Sequence, residues 1–182
     1  MLSALLFAIA VNANAIDVPP DFACVPYGDD FAFWVVPPEG WSCACHAEQT
    51  HGVAVALWPK NGAWPSSPAL MYVAVSTKDE DTMEKLIAHD LEKFKTRNPD
   101  GIVQVGNELK DAKGEALPVR LTSGLKSGRF EAIAYAEQPH AFLLFGLTAK
   151  SKADLEAAMP AFSQLVRSYF MINDIRFNQP KK

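Results

Sequence analysis

The sequence predicts an α+β fold, an antiparallel β-sheet with helices packed on it. Three observations predict it. Short β-branched and aromatic runs recur along the chain, and compact turns such as Lys113-Gly114, Lys126-Ser127-Gly128 and Gln138-Pro139-His140 separate the later ones, which favours antiparallel hairpins. Two longer segments instead place apolar residues at three- and four-residue steps, the period of a helix. The composition is globular: 182 residues, 49% hydrophobic and 21% charged, the length of one domain and enough apolar side chain to offset chain entropy.

The elements follow in order. Residues 1–15, MLSALLFAIAVNANA, read as a signal peptide: Leu2 to Val11 is almost wholly apolar and Ala13-Asn14-Ala15 is a small-x-small exit. No Lys or Arg precedes the apolar run, which is shorter than the ~20 residues a membrane-spanning helix needs. Cleavage after Ala15 would leave a periplasmic or secreted chain with no membrane span. Residues 16–30 form an irregular N-terminal arm with Pro19, Pro20, Pro26 and Gly28. Phe31–Val36 is a strand, stopped by Pro37-Pro38-Glu39-Gly40, and a loop follows. Val53–Trp58 and Leu70–Thr77 are strands flanking a loop that holds Pro59, Pro65 and Pro68.

Met83, Leu86, Ile87, Leu91 and Phe94 then predict a helix over 80–97, acidic at its start, basic at its end and stopped by Pro99. Leu86 and Leu91 should face the sheet, with Lys85 and Glu92 facing water. Four strands follow over 102–110, 116–123, 129–137 and 141–149. Along 129–137, Phe130, Ala132, Ala134 and Ala136 share one face, small enough for a helix to approach closely. The other face is mixed, with Arg129, Glu131, Ile133, Tyr135 and Glu137. The last helix opens on a capping box, Ser151 with Asp154, and carries Leu155, Met159, Phe162, Val166 and Tyr169 as its stripe. Pro160 should kink or split it. The single domain spans 31–170, and 171–182 is a fraying tail.

The run Phe31-x-Phe33-Trp34-x-x-Pro37-Pro38-Glu39-Gly40-Trp41 resembles the opening strand and Pro-x-Gly-Trp turn of the PsbP-like family. That family includes the extrinsic PsbP subunit of photosystem II and bacterial secreted proteins of unassigned role. The resemblance covers residues 31–170 and the order of elements. It implies an α-β-α sandwich and an assembly, stabilising or binding role without a reaction. The chain does not open with the Arg- and Ser-rich composition of a transit peptide, so a photosystem role is not implied.

The residues that carry chemistry are few. There are three cysteines, Cys24, Cys43 and Cys45, and an oxidising compartment should pair two of them. Residues two apart in a strand have Cα atoms about 6.6–6.8 Å apart, at the edge of disulfide geometry. Cys24 should therefore bond to Cys43 or Cys45. Cys43 is favoured because Trp41 anchors that end of the turn. The rival is a soft-metal site for copper(I) or zinc on Cys24, Cys43, Cys45 and His46, with His51 nearby. There is no C-x-x-C pair, no Gly-x-Ser-x-Gly elbow, no P-loop and no dinucleotide fingerprint.

Glu131 and Glu137 are roughly 20 Å apart along one strand, too far for a glycosidase pair, and read as surface charge, as does Asp90. His89 and His140 read as a solvated helix face and a turn. Trp34 and Trp58 read as core, whereas Trp41 and Trp64 lie in Pro-rich loops and are the candidate binding residues. A net charge of −4 without clustered Lys or Arg argues against nucleic acid. The expectation is an exported non-enzymatic binding or accessory protein with no cofactor, acting on a protein or small ligand. A thiol- or metal-binding protein is the alternative.

Overall fold

A computed structural model describes residues 23–28, 31–48, 52–64, 66–78 and 82–172, with backbone alone for His46, Ala47 and Glu48. The expected signal peptide, most of the N-terminal arm and residues 173–182 lie outside them. The elements are β1 (Phe33–Trp34), β2 (Trp41–Glu48), β3 (Val53–Pro59), β4 (Ala69–Thr77) and α1 (Met83–Arg97). Then come β5 (Ile102–Val105), β6 (Leu109–Lys110), β7 (Ala116–Leu117), β8 (Val119–Ser123), β9 (Phe130–Glu137), β10 (Ala141–Ala149), α2 (Lys152–Ser168) and β11 (Phe170–Met171). Seven strands form one sheet in the order β2-β3-β4-β10-β9-β8-β5, every pair antiparallel.

The sheet separates two helices, because side chains alternate between its faces. On one face Ala132 and Ala134 of β9, Leu143, Phe145 and Leu147 of β10, and Met71 and Val73 of β4 meet Phe162, Leu165 and Val166 of α2 in the main core. The alanine face of β9 thus receives a helix, as its small side chains predict. Burying each large apolar side chain of α2 contributes about 1.5–3 kcal/mol. On the other face Ile87 of α1 packs on Ile133 and Tyr135, flanked by Met83, Leu86, Leu91 and Leu144. Lys85 and Glu92 are exposed, as expected. Thr82 caps α1 and Ser151 caps α2, each accepting from a backbone N–H three residues on.

Four local expectations are corrected. The stretch after Gly40 is a strand, not a loop: Trp41, Cys43 and Cys45 alternate with Ser42 and Ala44, and Trp41↔Pro59 to Cys45↔Val55 pair in register. Gly40, at φ 79°, makes the turn into it. The predicted strand over 102–110 breaks near Gly106, and Leu109–Lys110 pairs separately with β7. Pro118 divides the predicted strand over 116–123, because it lacks the N–H that would continue a ladder. Of the kink or split expected at Pro160, the split does not occur, since α2 runs unbroken to Ser168. Pro160 lies on the exposed side, so the carbonyl it leaves without a donor can meet water.

The N-terminal and C-terminal segments are stitched together. β1 pairs with β11, Phe33↔Met171 and Trp34↔Phe170, and the Trp34 and Phe170 rings stack at 4.5 Å. Isolated bridges Cys24↔Val35 and Tyr27↔Ala32 hold residues 24–27 of the arm alongside.

Candidate functional site

The sulfur region resolves into a structural link. Cys24 is bonded to Cys43, 19 residues on, and both pack at the edge of the α2-side core. Cys45 remains a thiol, half-buried, with burial pushing its pKa up. The His46 side chain and His51 lie outside the described residues. With two of the four proposed donors oxidised to each other, the metal reading loses its thiolate set. Among the described residues there is no group of three or more His, Cys, Asp or Glu donors. The disulfide links the proline-bearing arm to β2, where Trp41 opens the strand.

Trp41 is therefore not a loop residue. It is 9% exposed and belongs to the core, with its outer edge on a shallow groove of about 540 Å³ beside Pro37, Pro38, Cys43 and Lys60. Trp64 is half-buried in the turn after β3 and does not line that groove.

The polar groups converge elsewhere, between α1 and the mixed face of the sheet, in a cleft of about 430 Å³. Its floor is set by register. Tyr72 on β4 lies opposite Gly146 on β10, and Gly146 lies opposite Ile133 on β9. A Cβ on Gly146 would sit 2.0 Å from the Tyr72 ring, so only glycine lets that ring lie across β10. The ring thereby crosses toward β9, about two strand spacings or ~10 Å away. Its hydroxyl donates to Glu131 Oε1 at 2.8 Å. Glu131 in turn lies opposite Thr122 on β8.

The wall is α1. Ile87, Asp90, Leu91 and Phe94 share one face at three- and four-residue spacing. Asp90 is its polar member, and Asp90 Oδ2 accepts from the Tyr135 hydroxyl at 2.5 Å. The C-terminal end of α1 is fixed to the opposite wall, since Asn98 Oδ1 accepts from the Lys126 backbone N–H at 2.9 Å.

The electrostatics follow from this burial. Burial raises the Glu131 pKa, the Tyr72 hydrogen bond opposes that, the Asp90 charge adds to it and Arg129 works against it. Tyr72 is raised well above its ordinary value by burial and then by Glu131. Tyr135 is raised by burial and by its bond to Asp90. Both phenols are thus held as hydrogen-bond donors. Thr122 is 5% exposed, and its Oγ1 has no hydrogen-bond partner among the described residues. Arg120, Lys93, Arg97 and Lys126 supply positive charge around the cleft.

Sequence reasoning assigned Glu131 and Asp90 to solvated surface and passed over Tyr72, Thr122 and Gly146. The available signal was Gly146, a glycine inside an apolar strand, which marks a close approach by something else.

No family model and no curated protein sequence matches the chain. Among solved structures it is similar to the solution structure of cyanobacterial PsbP (CyanoP) from Synechocystis sp. PCC 6803, with a TM-score of 0.55 and 13% identity. The match covers 88% of this chain and 98% of that one. Among the described residues no helix is long and apolar enough to cross a membrane. The fold is α+β, a mostly antiparallel sheet with two helices, and it is PsbP-like.

Proposed function

We propose that the protein is an exported, non-enzymatic binding or accessory protein whose ligand seat is the cleft between α1 and the sheet. The observation that carries this reading is Thr122, a residue of the cleft lining whose buried hydroxyl has no partner among the described residues. Burying such a group unpaired costs about 1–3 kcal/mol, a cost that a ligand's hydrogen bond offsets. Binding is favoured over turnover because each carboxylate of the cleft already accepts a tyrosine hydroxyl, and neither faces a nucleophile among its described partners. Export is supported by the apolar opening run with its Ala13-Asn14-Ala15 exit, and by the Cys24–Cys43 bond.

The test is retention of a small molecule. Purified protein is incubated with the small-molecule fraction of the source cells, washed and denatured, and released compounds are identified by mass spectrometry. Ile133→Trp, which fills the cleft, is run in parallel after its melting curve shows a folded protein. A compound held by the parent chain and lost from the variant supports the reading. No compound, or equal retention by both, overturns it. Amino-terminal sequencing of protein recovered from an exporting host should begin at Ile16; retained Met1 would defeat the export part.

A further inference from the structure

The cleft is electrostatically bipolar. Asp90 and Glu131 each use one carboxylate oxygen for a tyrosine hydroxyl. Asp90 Oδ1 and Glu131 Oε2 have no hydrogen bond to another described residue. On the neighbouring strand Arg120 pairs in register with Ile133, so Glu131 is its diagonal neighbour on the same face. Diagonal positions across an antiparallel pair lie about 7–8 Å apart, within reach of two long side chains. Arg120 nevertheless pairs with neither Glu131 nor Asp90; it donates to the Val119 carbonyl at 3.2 Å. Opposite charges thus share one half-buried cleft without joining, and Arg129, which offsets part of the Glu131 charge, is already engaged by Thr148. Thr122, whose hydroxyl is unpartnered, lies directly opposite Glu131 on the same strand as Arg120, and Leu91 and Leu125 add apolar wall.

A simple anion would leave the free oxygens of Asp90 and Glu131 without a donor, and a simple cation would leave Arg120, Lys93, Arg97 and Lys126 without an acceptor. A small molecule carrying both charges meets neither penalty. Resting on the binding reading above, we infer that the occupant is a zwitterion of the α-amino acid class. Its ammonium lies against Glu131 and Asp90, its carboxylate against Arg120, and Thr122 completes the hydrogen bonding. The side chain runs along Leu91 and Leu125. The guanidinium suits the carboxylate because its planar fork can donate two parallel hydrogen bonds.

The full chain, labelled with nitrogen-15, is titrated with each of the twenty common amino acids while its amide spectrum is followed. At least one should bind, with shifts centred on Thr122 and its neighbours Leu121 and Ser123. For that amino acid the N-acetyl derivative, which lacks the ammonium, and the methyl ester, which lacks the carboxylate, should each bind at least about tenfold more weakly. Glu131→Gln and Arg120→Met should show the same loss with the parent amino acid, while the two derivatives keep the test decisive if a variant does not fold. Equal affinity for the amino acid and its two derivatives would overturn the inference, as would shifts centred away from the cleft. Silence from all twenty would do the same. If none binds while a compound is still retained from the cell extract, this inference fails and the binding reading stands; if nothing is retained either, both fail.

Discussion

On the α2 side of the sheet, Ala132, Ala134 and Ala136 of β9 lie beneath a helix whose Phe162, Leu165 and Val166 are fully buried. One residue out of step on the same strand, Glu131, Ile133 and Tyr135 face α1, where the contacts are an aspartate, two tyrosines and a cleft. The two faces share a backbone and a twist and differ only in side chains. The first is lined by apolar side chains that are fully buried, which gives stability. The second keeps buried polar groups in hydrogen-bonded pairs and leaves one buried hydroxyl unpaired, an arrangement that contributes less stability and more chemistry. In this chain the face that holds the fold together and the face that carries the candidate site lie back to back.

The largest expected effect separates the two faces directly. Phe162→Ala should cost about 3–5 kcal/mol in urea unfolding, because it empties a fully buried site. Leu91→Ala on the other side should cost less than about 2 kcal/mol, since Leu91 is only half-buried at the cleft. Equal losses would mean that the α1 face is packed as firmly as the α2 face. Next, Gly146→Ala should cost about 1–3 kcal/mol by forcing a methyl into the Tyr72 ring. In a Tyr72→Ala background the same change should cost much less, and the difference measures how far the ring's path over β10 depends on glycine.

A third measurement reads the polar face against pH. Because the Glu131 pKa is raised in the folded protein, the native state keeps a proton that the unfolded chain loses near its ordinary value of 4.5. Stability should therefore fall as pH rises from about that value until the folded value is passed, then level off. Glu131→Gln should remove that part of the slope; an unchanged profile would place the carboxyl in water. The smallest effect is Thr122→Val. Removing a buried hydroxyl that has no partner should leave stability unchanged or raise it by up to ~1 kcal/mol. A loss larger than that would show that the hydroxyl is already satisfied, and the contrast between the faces would weaken.

What was legible in the sequence divides along the same line. Both helices, the 141–149 strand and the alanine face of β9 could be read because each rests on local periodicity. Reach and compartment narrowed the partner of Cys24 to Cys43 or Cys45, and the bond is to Cys43. The strand after Gly40 escaped notice because Ser42, Cys43, Ala44 and Cys45 carry no β-branched residue, and the alternation that marks it looks like a ligand motif. The cleft was not legible. Tyr72 and Glu131 are 59 residues apart and meet because β4, β10 and β9 are neighbours in the sheet. Asp90 and Tyr135 are 45 residues apart and on different layers. Charge in a sequence carries no sign of burial until the sheet order is known.

The pairing of β1 with β11 constrains how the molecule can be made. Ile172 donates its backbone N–H to the Ala32 carbonyl at 2.9 Å, and Ser168 Oγ both accepts from Val36 N–H and donates to Val36 O. The earliest-synthesised strand thus waits for partners emerging more than 130 residues later. Until then β1, with Phe33 and its neighbour Val35 fully buried in the finished fold, lacks its strand partner. In an oxidising compartment the Cys24–Cys43 link can form without that pairing, because its ends are only 19 residues apart. It holds the arm beside β2 without help from the last strand. A chain truncated before Phe170 should therefore keep a sheet centre with an open seam, because β1 cannot close without its C-terminal partner.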